Sequence, residues 1–331
     1  MISRSTHEDE ALGADTAITA ALATPTDGDG RALQRARAFA EPLLSGETLD
    51  TGEPVLDHAD AVAQILSRIG GTPDLQACVY LVYASPFLAH PREVIAKAFG
   101  EAFADVAIET NKLIQLQRQA RQRGAPADAA ASALDAAQTE NVRKMLLAFS
   151  RDLRVVLLRL ASRLQTLRYH AAVKRLPERS LAAESLQVFA PLANRLGIWQ
   201  LKWELEDLAF RFLEPDTYKH IAGLLDEKRV ERETHVEHVR QRLERELAAL
   251  GLSAQVQGRP KHIYSIVKKM RGKSLDFDQV YDLRALRVIV GSVDDCYRVL
   301  AWVHAHFSPA PDEFDDYIAK PKPNGYQSLH T

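Results

Sequence analysis

The chain has 331 residues, of which 46% are hydrophobic, and a formal net charge of −2 at pH 7. This length allows about two domains, each with its own core, and the near-neutral charge excludes nucleic-acid binding over the whole surface. Only two cysteines occur, Cys78 and Cys296, so there is neither a disulfide framework nor a CxxC metal knuckle. The sequence shows neither the charged and then apolar pattern of a signal peptide nor an apolar run of membrane length. We therefore expect a cytoplasmic protein with no membrane partner.

Residues 1–30 are predicted to be a disordered tail. The segment is rich in Ala, Thr, Asp and Gly and ends in the turn-forming run TPTDGDG at 24–30. It offers too little apolar surface to offset the entropy lost on ordering.

Residues 31–195 have a helical pattern almost throughout. Val62, Ile65, Leu66 and Ile69 recur at the spacing of one helix face. Further stripes are Phe99, Phe103 and Val106, then Met145, Leu146 and Phe149, then Val155, Leu158, Leu160, Leu164 and Leu167. The Ala/Gln/Arg-rich stretch at 118–139 is the predicted internal loop.

Residues 196–250 read as a helical connector. Trp199, Trp203 and Phe212 offer large apolar area, which we expect to pack against the first domain. A long charged helix follows and ends at Gly251, the predicted C-cap. Its alternating charges favour a solvated face over a nucleic-acid site.

A basic segment follows at 257–275. Pro260 suits the first position of a helix, and Ile263, Ile266, Val267 and Met270 form an apolar stripe along that helix. On another face, Lys261, Ser265 and Lys269 are spaced by four, and Arg259 lies just before the helix. Cations and a hydroxyl at a helix N-terminus favour polyphosphate binding. From charge alone, a solvated basic face is the simpler alternative.

The run at 281–290 predicts a strand that ends at Gly291 and whose apolar second half lies in the sheet interior. Asp282 stands at the start of this strand, where a carboxylate beside bound phosphate can hold Mg²⁺. Ser292 then predicts a capping box. The helix it opens should carry Cys296, Leu300, Val303 and Phe307 on one side.

The last stretch combines acids, cations and aromatic rings. The acidic run DEFDD at 312–316 leads into a loop with two lysines, an amide, tyrosines and a histidine. Such a set can stack on a base and hold its phosphates.

Several of these segments carry a resemblance to a known family. GRPKHIYSI at 258–266, Asp282 and PKPNGYQSLH at 321–330 resemble the synthetase domain of the RelA/SpoT family. Members of that family make the alarmone (p)ppGpp by moving pyrophosphate from ATP to the 3′-hydroxyl of GDP or GTP. APLANRLGI at 190–198 and LKWELED at 201–207 also match, so the resemblance runs from about residue 30 to residue 331.

The resemblance implies roles for individual residues. Arg259, Lys261 and Lys269 would hold the ATP phosphates with help from Ser265, and Asp282 would ligate Mg²⁺. Tyr326 would stack on guanine, with Lys322, Asn324 and His330 around the acceptor nucleotide. EFDD at 313–316 replaces the Arg-x-Lys-Asp of bifunctional members, which puts a direct phosphate contact of Asp315 in doubt. Glu313 and Asp316 are the candidates for a catalytic base within this chain.

The first half resembles the hydrolase domain of the family, an all-helical His-Asp domain that uses Mn²⁺. His58 in TGEPVLDH at 51–58 occupies the position of a metal ligand. Val82 and Tyr83 replace the following His-Asp pair, Pro86 and Phe87 replace the acidic pair beyond it, and Ser162 replaces the later Asp. One imidazole holds a divalent metal poorly, so we interpret His58 as a structural or surface histidine.

We therefore predict an α+β chain. It comprises an all-helical, degenerate His-Asp (HD) domain at 31–195, the connector at 196–250, and a mixed α/β nucleotidyltransferase-like synthetase domain at 251–331 that is truncated at its C-terminus. The predicted function is (p)ppGpp synthesis from ATP and GDP or GTP with Mg²⁺. The alternative is a catalytically inert nucleotide-binding, regulatory fragment; a hydrolase is disfavoured.

Two further expectations follow from the resemblance. The family's Glu-Ile-Gln-Ile-Arg-Thr motif, whose glutamate activates the attacking hydroxyl, would lie after Thr331, so little or no turnover is expected from these 331 residues. Ribosome and uncharged tRNA would bind only through regions further along the family's chains.

Overall fold

The computed structural model describes residues 31–123, 152–227, 229–260, 262–280, 284–309, 314–321 and 327–331. The predicted tail at 1–30 and the stripe of Met145, Leu146 and Phe149 lie outside the described residues. The chain divides into two compact units between Leu213 and Glu214. This boundary differs from the predicted ones at 195 and 250, which treat both halves of the connector as one piece.

The first unit is helical throughout its described residues, apart from one isolated bridge between Thr48 and Pro54. A short 3-10 turn, Ser85–Phe87, and a π-helical turn, Ser185–Phe189, interrupt the α-helices. Its helices are α1 (Arg31–Leu44), α2 (Val55–Arg68), α3 (Pro73–Ala84), α4 (Pro91–Phe99), α5 (Glu101–Arg123), α6 (Leu153–Ala172), α7 (Arg179–Glu184), α8 (Ala190–Arg195) and α9 (Trp199–Leu213). The helix α5 thus continues through the first residues of the predicted loop at 118–139, and the rest of that loop lies outside the described residues.

Local sequence explains where these helices begin. The Thr72 hydroxyl accepts a hydrogen bond from the Leu75 N–H, and Pro73 occupies the first turn of α3, where its missing donor costs nothing. The Asp152 carboxylate caps α6 by accepting from the Arg154 N–H. Such N-caps stabilise a helix by about 1 kcal/mol each.

The helices α3 and α6 lie at the centre of this unit. Both are buried along most of their length, which requires apolar residues on more than one face. The predicted stripes are confirmed where they are described: Val62, Ile65, Leu66, Val155, Leu158, Leu160, Leu164 and Leu167 are all at most 3% exposed.

The π-helical turn is held by a buried cation. Arg163 of α6 donates to the Leu181 carbonyl, to the Ser185 hydroxyl and, at 2.7 Å, to the Glu184 carboxylate. Its guanidinium also lies 4.2 Å from the centre of the Phe189 ring. The turn therefore has its polar groups satisfied inside the core.

The helix α9 belongs to the first unit. Its residues Leu201, Leu205 and Ala209 are buried in the core formed by the preceding helices, and Phe212 packs against that core. The prediction that aromatic residues here face the first domain is thus confirmed for Phe212, whereas Trp199 and Trp203 are half-buried and lie against each other. The connector therefore does not form a separate element.

The second unit is a small mixed α/β structure with two short antiparallel sheets. Its elements are α10 (Pro215–Glu227), α11 (Arg229–Ala249), β1 (Ala254–Pro260), α12 (Ile263–Lys273), a 3-10 turn (Phe277–Gln279), β2 (Arg284–Val290), α13 (Val293–His306), β3 (Asp315–Asp316) and β4 (Leu329–His330). The strand β1 pairs with β2, from Ala254 opposite Val290 to Pro260 opposite Arg284, and β3 pairs with β4.

The core of the second unit lies between α11, α13 and the first sheet. It contains Leu243, Leu247, Leu252, Val256, Val299 and Trp302. Gly251 follows α11 with φ +70°, the left-handed conformation that glycine adopts at no steric cost, so the predicted C-cap is confirmed.

Three sequence predictions for this unit are wrong in detail. Pro260 ends β1 and does not open a helix, since α12 begins at Ile263. Among the described residues β2 pairs only with β1, and Ile289 is 45% exposed, so β2 does not have the two covered faces of an interior strand. On α13 the buried side chains are Val299 and Trp302, and the predicted Val303 and Phe307 pack against the same core, whereas the predicted Cys296 and Leu300 are only half-buried.

None of the helices in the described ranges combines the length and the apolarity needed to cross a membrane.

Candidate functional site

A buried polar cluster lies between α2, α3 and α6. His58 is 1% exposed, and its Nδ1 lies 2.6 Å from Glu53 Oε2. On the other side of the ring, Nε2 lies 3.3 Å from the Ser162 Oγ, which is 2.8 Å from the Tyr83 hydroxyl. Gln165 Nε2 donates to the second oxygen of Glu53 at 2.6 Å. His58 is therefore a buried histidine and not a surface one.

The contacts of this cluster link its polar groups in one chain. A carboxylate only accepts, so Glu53 accepts the Nδ1–H of His58. On the other side of the ring, the Ser162 hydroxyl lies within hydrogen-bonding distance of both Nε2 and the Tyr83 hydroxyl. Both ring nitrogens of His58 are thus engaged by protein groups.

The cluster offers little room and few ligands. A neighbouring cavity, which borders Tyr83 and Ser162 and is otherwise lined mostly by apolar side chains, has a volume of about 10 Å³, space for at most one water molecule. Among the described residues, no group of three or more His, Cys, Asp or Glu side chains could hold a metal ion. The residues present do not fit Mn²⁺.

In the second unit, α12 carries two of the predicted phosphate-binding residues, Ser265 and Lys269. Ile266 and Val267 are buried, which confirms the predicted stripe and fixes the opposite face outward. Ser265 and Lys269 are half-buried, one turn apart, whereas Lys268 is exposed. Lys261 lies outside the described residues.

The cation at the end of α12 has a different role. Arg271 donates two hydrogen bonds to the Glu214 carboxylate, at 2.9 and 2.5 Å, and this hydrogen bonding raises the pKa of Arg271. The pair joins α12 to the residue that precedes α10. Arg271 therefore contributes less positive charge to a ligand than the composition of the helix suggests.

The first sheet brings the end of β1, which contains Arg259, beside the start of β2. Because β1 and β2 are antiparallel, the last residues of β1 lie beside the first residues of β2: Arg259 is opposite Ala285 and Pro260 is opposite Arg284. Only the backbone of Arg259 is described. Asp282, the predicted magnesium ligand, lies outside the described residues, two positions before Arg284.

The second sheet brings the acidic run beside the histidine of the last motif. Asp315 lies opposite His330, and Asp316 lies opposite Leu329. The Asp316 carboxylate accepts from the Ile318 and Ala319 N–H groups and from the Tyr297 hydroxyl. The hydrogen bond from Ala319 is the main reason that the pKa of Asp316 is lowered. Of the other predicted residues here, Glu313, Lys322, Asn324 and Tyr326 lie outside the described residues.

Comparison with known families accounts for both units. Residues 36–199 match the HD domain, and residues 258–331 match the region found in RelA / SpoT proteins. The chain belongs to the RelA/SpoT family. The mostly helical first unit is its HD domain, and the α/β unit carries its synthetase region.

The curated relatives of this RelA/SpoT chain include proteins named pyrophosphokinase and proteins named pyrophosphohydrolase. It is 41% identical over 298 residues to a probable guanosine-3′,5′-bis(diphosphate) 3′-pyrophosphohydrolase of Synechocystis sp., which covers 90% of this chain and 38% of the relative. It is 54% identical over 197 residues to the GTP pyrophosphokinase of Escherichia coli K12, 59% of this chain and 26% of the relative. A pyrophosphohydrolase of Haemophilus influenzae is 38% identical over 293 residues, 88% of this chain and 41% of the relative. The chain thus spans well under half the length of these relatives.

The sequence predictions for this RelA/SpoT chain did not include several residues of the two clusters described above. Glu53 and Gln165 complete the buried cluster around His58. Glu53 lies in the TGEPVLDH motif, but its contact with His58 was not predicted. Tyr297 precedes Asp316 by nineteen positions, and no local pattern connects the two. Such contacts depend on tertiary packing.

Proposed function

We propose that this chain is part of a cytoplasmic (p)ppGpp synthetase that transfers pyrophosphate from ATP to the 3′-hydroxyl of GDP or GTP, and that its HD domain does not hydrolyse (p)ppGpp. One observation favours synthesis over hydrolysis. His58 is engaged by Glu53 and Ser162, and Val82, Tyr83 and Ser162 stand where a metal-dependent hydrolase of this family needs ligands.

The proposed donor site is built on α12 and the end of β1. In pyrophosphate transfer the protein mainly positions two nucleotides and neutralises phosphate charge. Lys269 and Ser265, half-buried on successive turns, would hold the ATP phosphates with Arg259 and Lys261. Partial burial strengthens such contacts, because water screens them less.

Mg²⁺ is the proposed cofactor, with Asp282 as its ligand. The sheet register, in which Pro260 lies opposite Arg284, supports a carboxylate beside the phosphate-binding cations. This combination of oxygen ligand and nearby phosphate suits Mg²⁺. When bound, the ion would neutralise charge on the transferred group.

The acceptor nucleotide would lie against the last motif. Tyr326 would stack on guanine, Lys322 and Asn324 would contact the nucleotide, and His330 would border the site. Glu313 is the proposed carboxylate for accepting the proton of the attacking hydroxyl.

The test measures both the synthesis and the hydrolysis of ppGpp by the 331-residue chain. With ATP labelled in its β- and γ-phosphates and unlabelled GDP, we expect label in ppGpp above a no-protein blank, even if transfer is slow. With ppGpp and Mn²⁺, we expect no release of pyrophosphate. Nucleotide binding without any transfer would favour an inert regulatory module, and Mn²⁺-dependent hydrolysis that His58→Ala abolishes would overturn the proposal.

A further inference from the structure

The helix α12 presents different residues on its two sides. Each residue advances a helix by about 100°. Ser265 and Lys269 are four positions apart and therefore share one side, whereas Arg271 lies about 200° around the helix from Lys269. Arg271 is thus on the far side of α12 from the two residues that are proposed to hold the ATP phosphates.

The far side of α12 is fastened to the start of α10. The two terminal nitrogens of Arg271 donate separately to the two carboxylate oxygens of Glu214, at 2.9 and 2.5 Å. A pair of this kind fixes the direction of the guanidinium as well as its distance. The Thr217 hydroxyl donates to the same carboxylate at 3.2 Å, and α10 packs against α12. The helix that carries Lys269 is therefore held from behind.

Glu214 is itself held by the chain on both sides. It directly follows Leu213, the last residue of α9, and directly precedes Pro215, the first residue of α10. A proline restricts the backbone of the residue before it, and the Glu214 carbonyl accepts from the Tyr218 N–H at 2.9 Å. The carboxylate therefore projects from a fixed backbone and can serve as an anchor for α12.

The pair is too exposed to contribute much to folding. The side chains of Glu214 and Arg271 are 37% and 56% exposed, and ion pairs with such exposure add little stability because water screens them. A ligand site, however, depends on placement of its side chains to within about 0.5 Å. A weak contact that fixes a helix can therefore matter more for binding than for folding.

We propose that Glu214 and Arg271 are positioning residues for the donor site. Their ion pair clamps the far side of α12 onto the start of α10 and so holds Ser265 and Lys269 in place for the ATP phosphates. Arg271 does not contact the nucleotide, because Glu214 engages its guanidinium on the other side of the helix. The donor-site role rests on the proposed function, whereas the clamp itself does not.

The clamp is tested by amide hydrogen exchange in the nucleotide-free chain. Glu214→Ala removes the acceptor, and we expect the amides of α12 to exchange about two- to fivefold faster. The amides of α3, in the core of the first unit, should exchange as in the wild type. Equal exchange of α12 in the wild type and in Glu214→Ala would overturn the clamp.

The donor-site role is tested by titrating the full chain with a nonhydrolysable ATP analogue and, separately, with GDP. Glu214→Ala removes a negative charge close to a basic helix, so general electrostatics would make the ATP analogue bind more tightly. Loss of the clamp has the opposite effect, and we expect about two- to fivefold weaker binding of the ATP analogue with GDP binding unchanged. Tighter or unchanged binding of the ATP analogue would overturn the proposal.

A double variant separates the clamp from the charge. Arg271→Ala alone should weaken binding of the ATP analogue as much as Glu214→Ala does, since either change breaks the pair. Combining the two substitutions restores the net charge of the wild type but not the clamp, so we expect the same loss as in either single variant. Losses that add, or a return to the affinity of the wild type, would contradict the clamp.

The matched control is Arg298→Ala on α13. Arg298 is 55% exposed and pairs with Asp295, so this variant removes the same charge from a similar ion pair on another helix. A loss of affinity equal to that of Arg271→Ala would overturn the proposal, because general charge would then explain both. A wild type that does not bind the ATP analogue would overturn the donor-site role together with the proposed function, while faster exchange of α12 in Glu214→Ala would still establish the clamp.

Discussion

The hydroxyls of Ser162 and Tyr83 occupy the Nε2 side of the His58 ring. In the resembled hydrolase pattern, position 162 carries a carboxylate that would share a metal with the imidazole. Here the Ser162 hydroxyl is hydrogen-bonded to the same nitrogen, and Tyr83 completes the chain. The cluster still joins α2, α3 and α6, so we infer that hydrogen bonds now serve the cross-linking role that a metal would have.

The first prediction concerns the stability contributed by this cluster. Ser162→Ala removes the hydroxyl that is hydrogen-bonded to the buried His58 Nε2, and the loss of such a partner by a buried polar group costs about 1–3 kcal/mol. We expect urea unfolding, followed by circular dichroism, to report a loss of that size. Ser67→Ala, at an exposed position of α2, should change stability by less than about 0.5 kcal/mol. Equal effects of the two variants would show that the cluster is not stabilising.

The second prediction uses two neighbouring lysines of α12. Lys269 is half-buried and Lys268 is exposed, so only Lys269 is placed to hold a phosphate out of full contact with water. We expect Lys269→Ala to weaken binding of a nonhydrolysable ATP analogue by about 1.5–3 kcal/mol, and more at low salt. Lys268→Ala removes the same charge from the same helix and should have little effect. Calorimetric titration of both variants decides, and equal losses would indicate a diffuse basic face.

The third prediction concerns the two thiols. Burial raises the pKa of Cys78 to about 12, so almost no thiolate is present at pH 8. Cys296 is only half-buried, although burial raises its pKa as well. We expect Ellman's reagent to modify Cys296 in the native chain and Cys78 only after unfolding. Native Cys296→Ser protein should therefore react negligibly, and fast modification of that variant would contradict the packing of α3.

At the scale of helices, apolar spacing alone predicts most of the first unit. Val62, Ile65 and Leu66 are at most 2% exposed, because a helix that packs on others must bury the residues spaced by three and four. The strand β1 could not be found in this way. Its sequence, AQVQGRP, contains glycine and proline, which are depleted in strands, and it is stabilised by pairing with β2 about thirty residues later.

The same contrast holds for the candidate sites. The basic helix and the positions that match metal ligands in the resembled hydrolase pattern lie in local motifs, so sequence comparison finds them. The contacts of Asp316 with Tyr297 and of His58 with Ser162 join residues that are far apart in the chain. Only the packing of one element on another reveals them.

The fourth prediction compares two ion pairs that both involve α6. Arg163 and Glu184 are at most 6% exposed, whereas Arg168 and Glu204 are 30% and 37% exposed. Removing one partner of a buried pair costs about 3–5 kcal/mol, and an exposed pair contributes about 0–1 kcal/mol. We expect Arg163→Ala to destabilise the chain strongly and Arg168→Ala weakly in urea unfolding. Similar losses would mean that the Arg163 contacts are replaced by water.

At the scale of the whole molecule, the two units have separate hydrophobic cores. The larger core contains buried residues from Ala36 to Ala209, and the smaller one contains residues from Leu243 to Trp302. A unit with its own core can fold by itself in principle.

The fifth prediction follows from these separate cores. We expect a fragment of residues 31–213 to unfold cooperatively in urea and to retain slow amide exchange in α3 and α6. A fragment that ends at residue 195 lacks α9, whose Leu201, Leu205 and Ala209 complete the core. It should be less stable by several kcal/mol, since each buried leucine contributes about 1.5–3 kcal/mol. Equal stability of the two fragments would show that α9 does not contribute to the core of the first unit.

The π-helical turn has a consequence for the lengths that this helix tolerates. A π-helical turn closes its hydrogen bonds over five residues, one more than an α-helical turn. Deleting one residue at 185–189 would therefore convert it to an α-helical turn and leave Leu192 and Ala193, now at most 1% exposed, facing the core. Inserting one residue would rotate α8 by about 100° and bring the exposed Pro191 into the buried position of Leu192. We therefore expect related chains to lose one residue here more readily than to gain one.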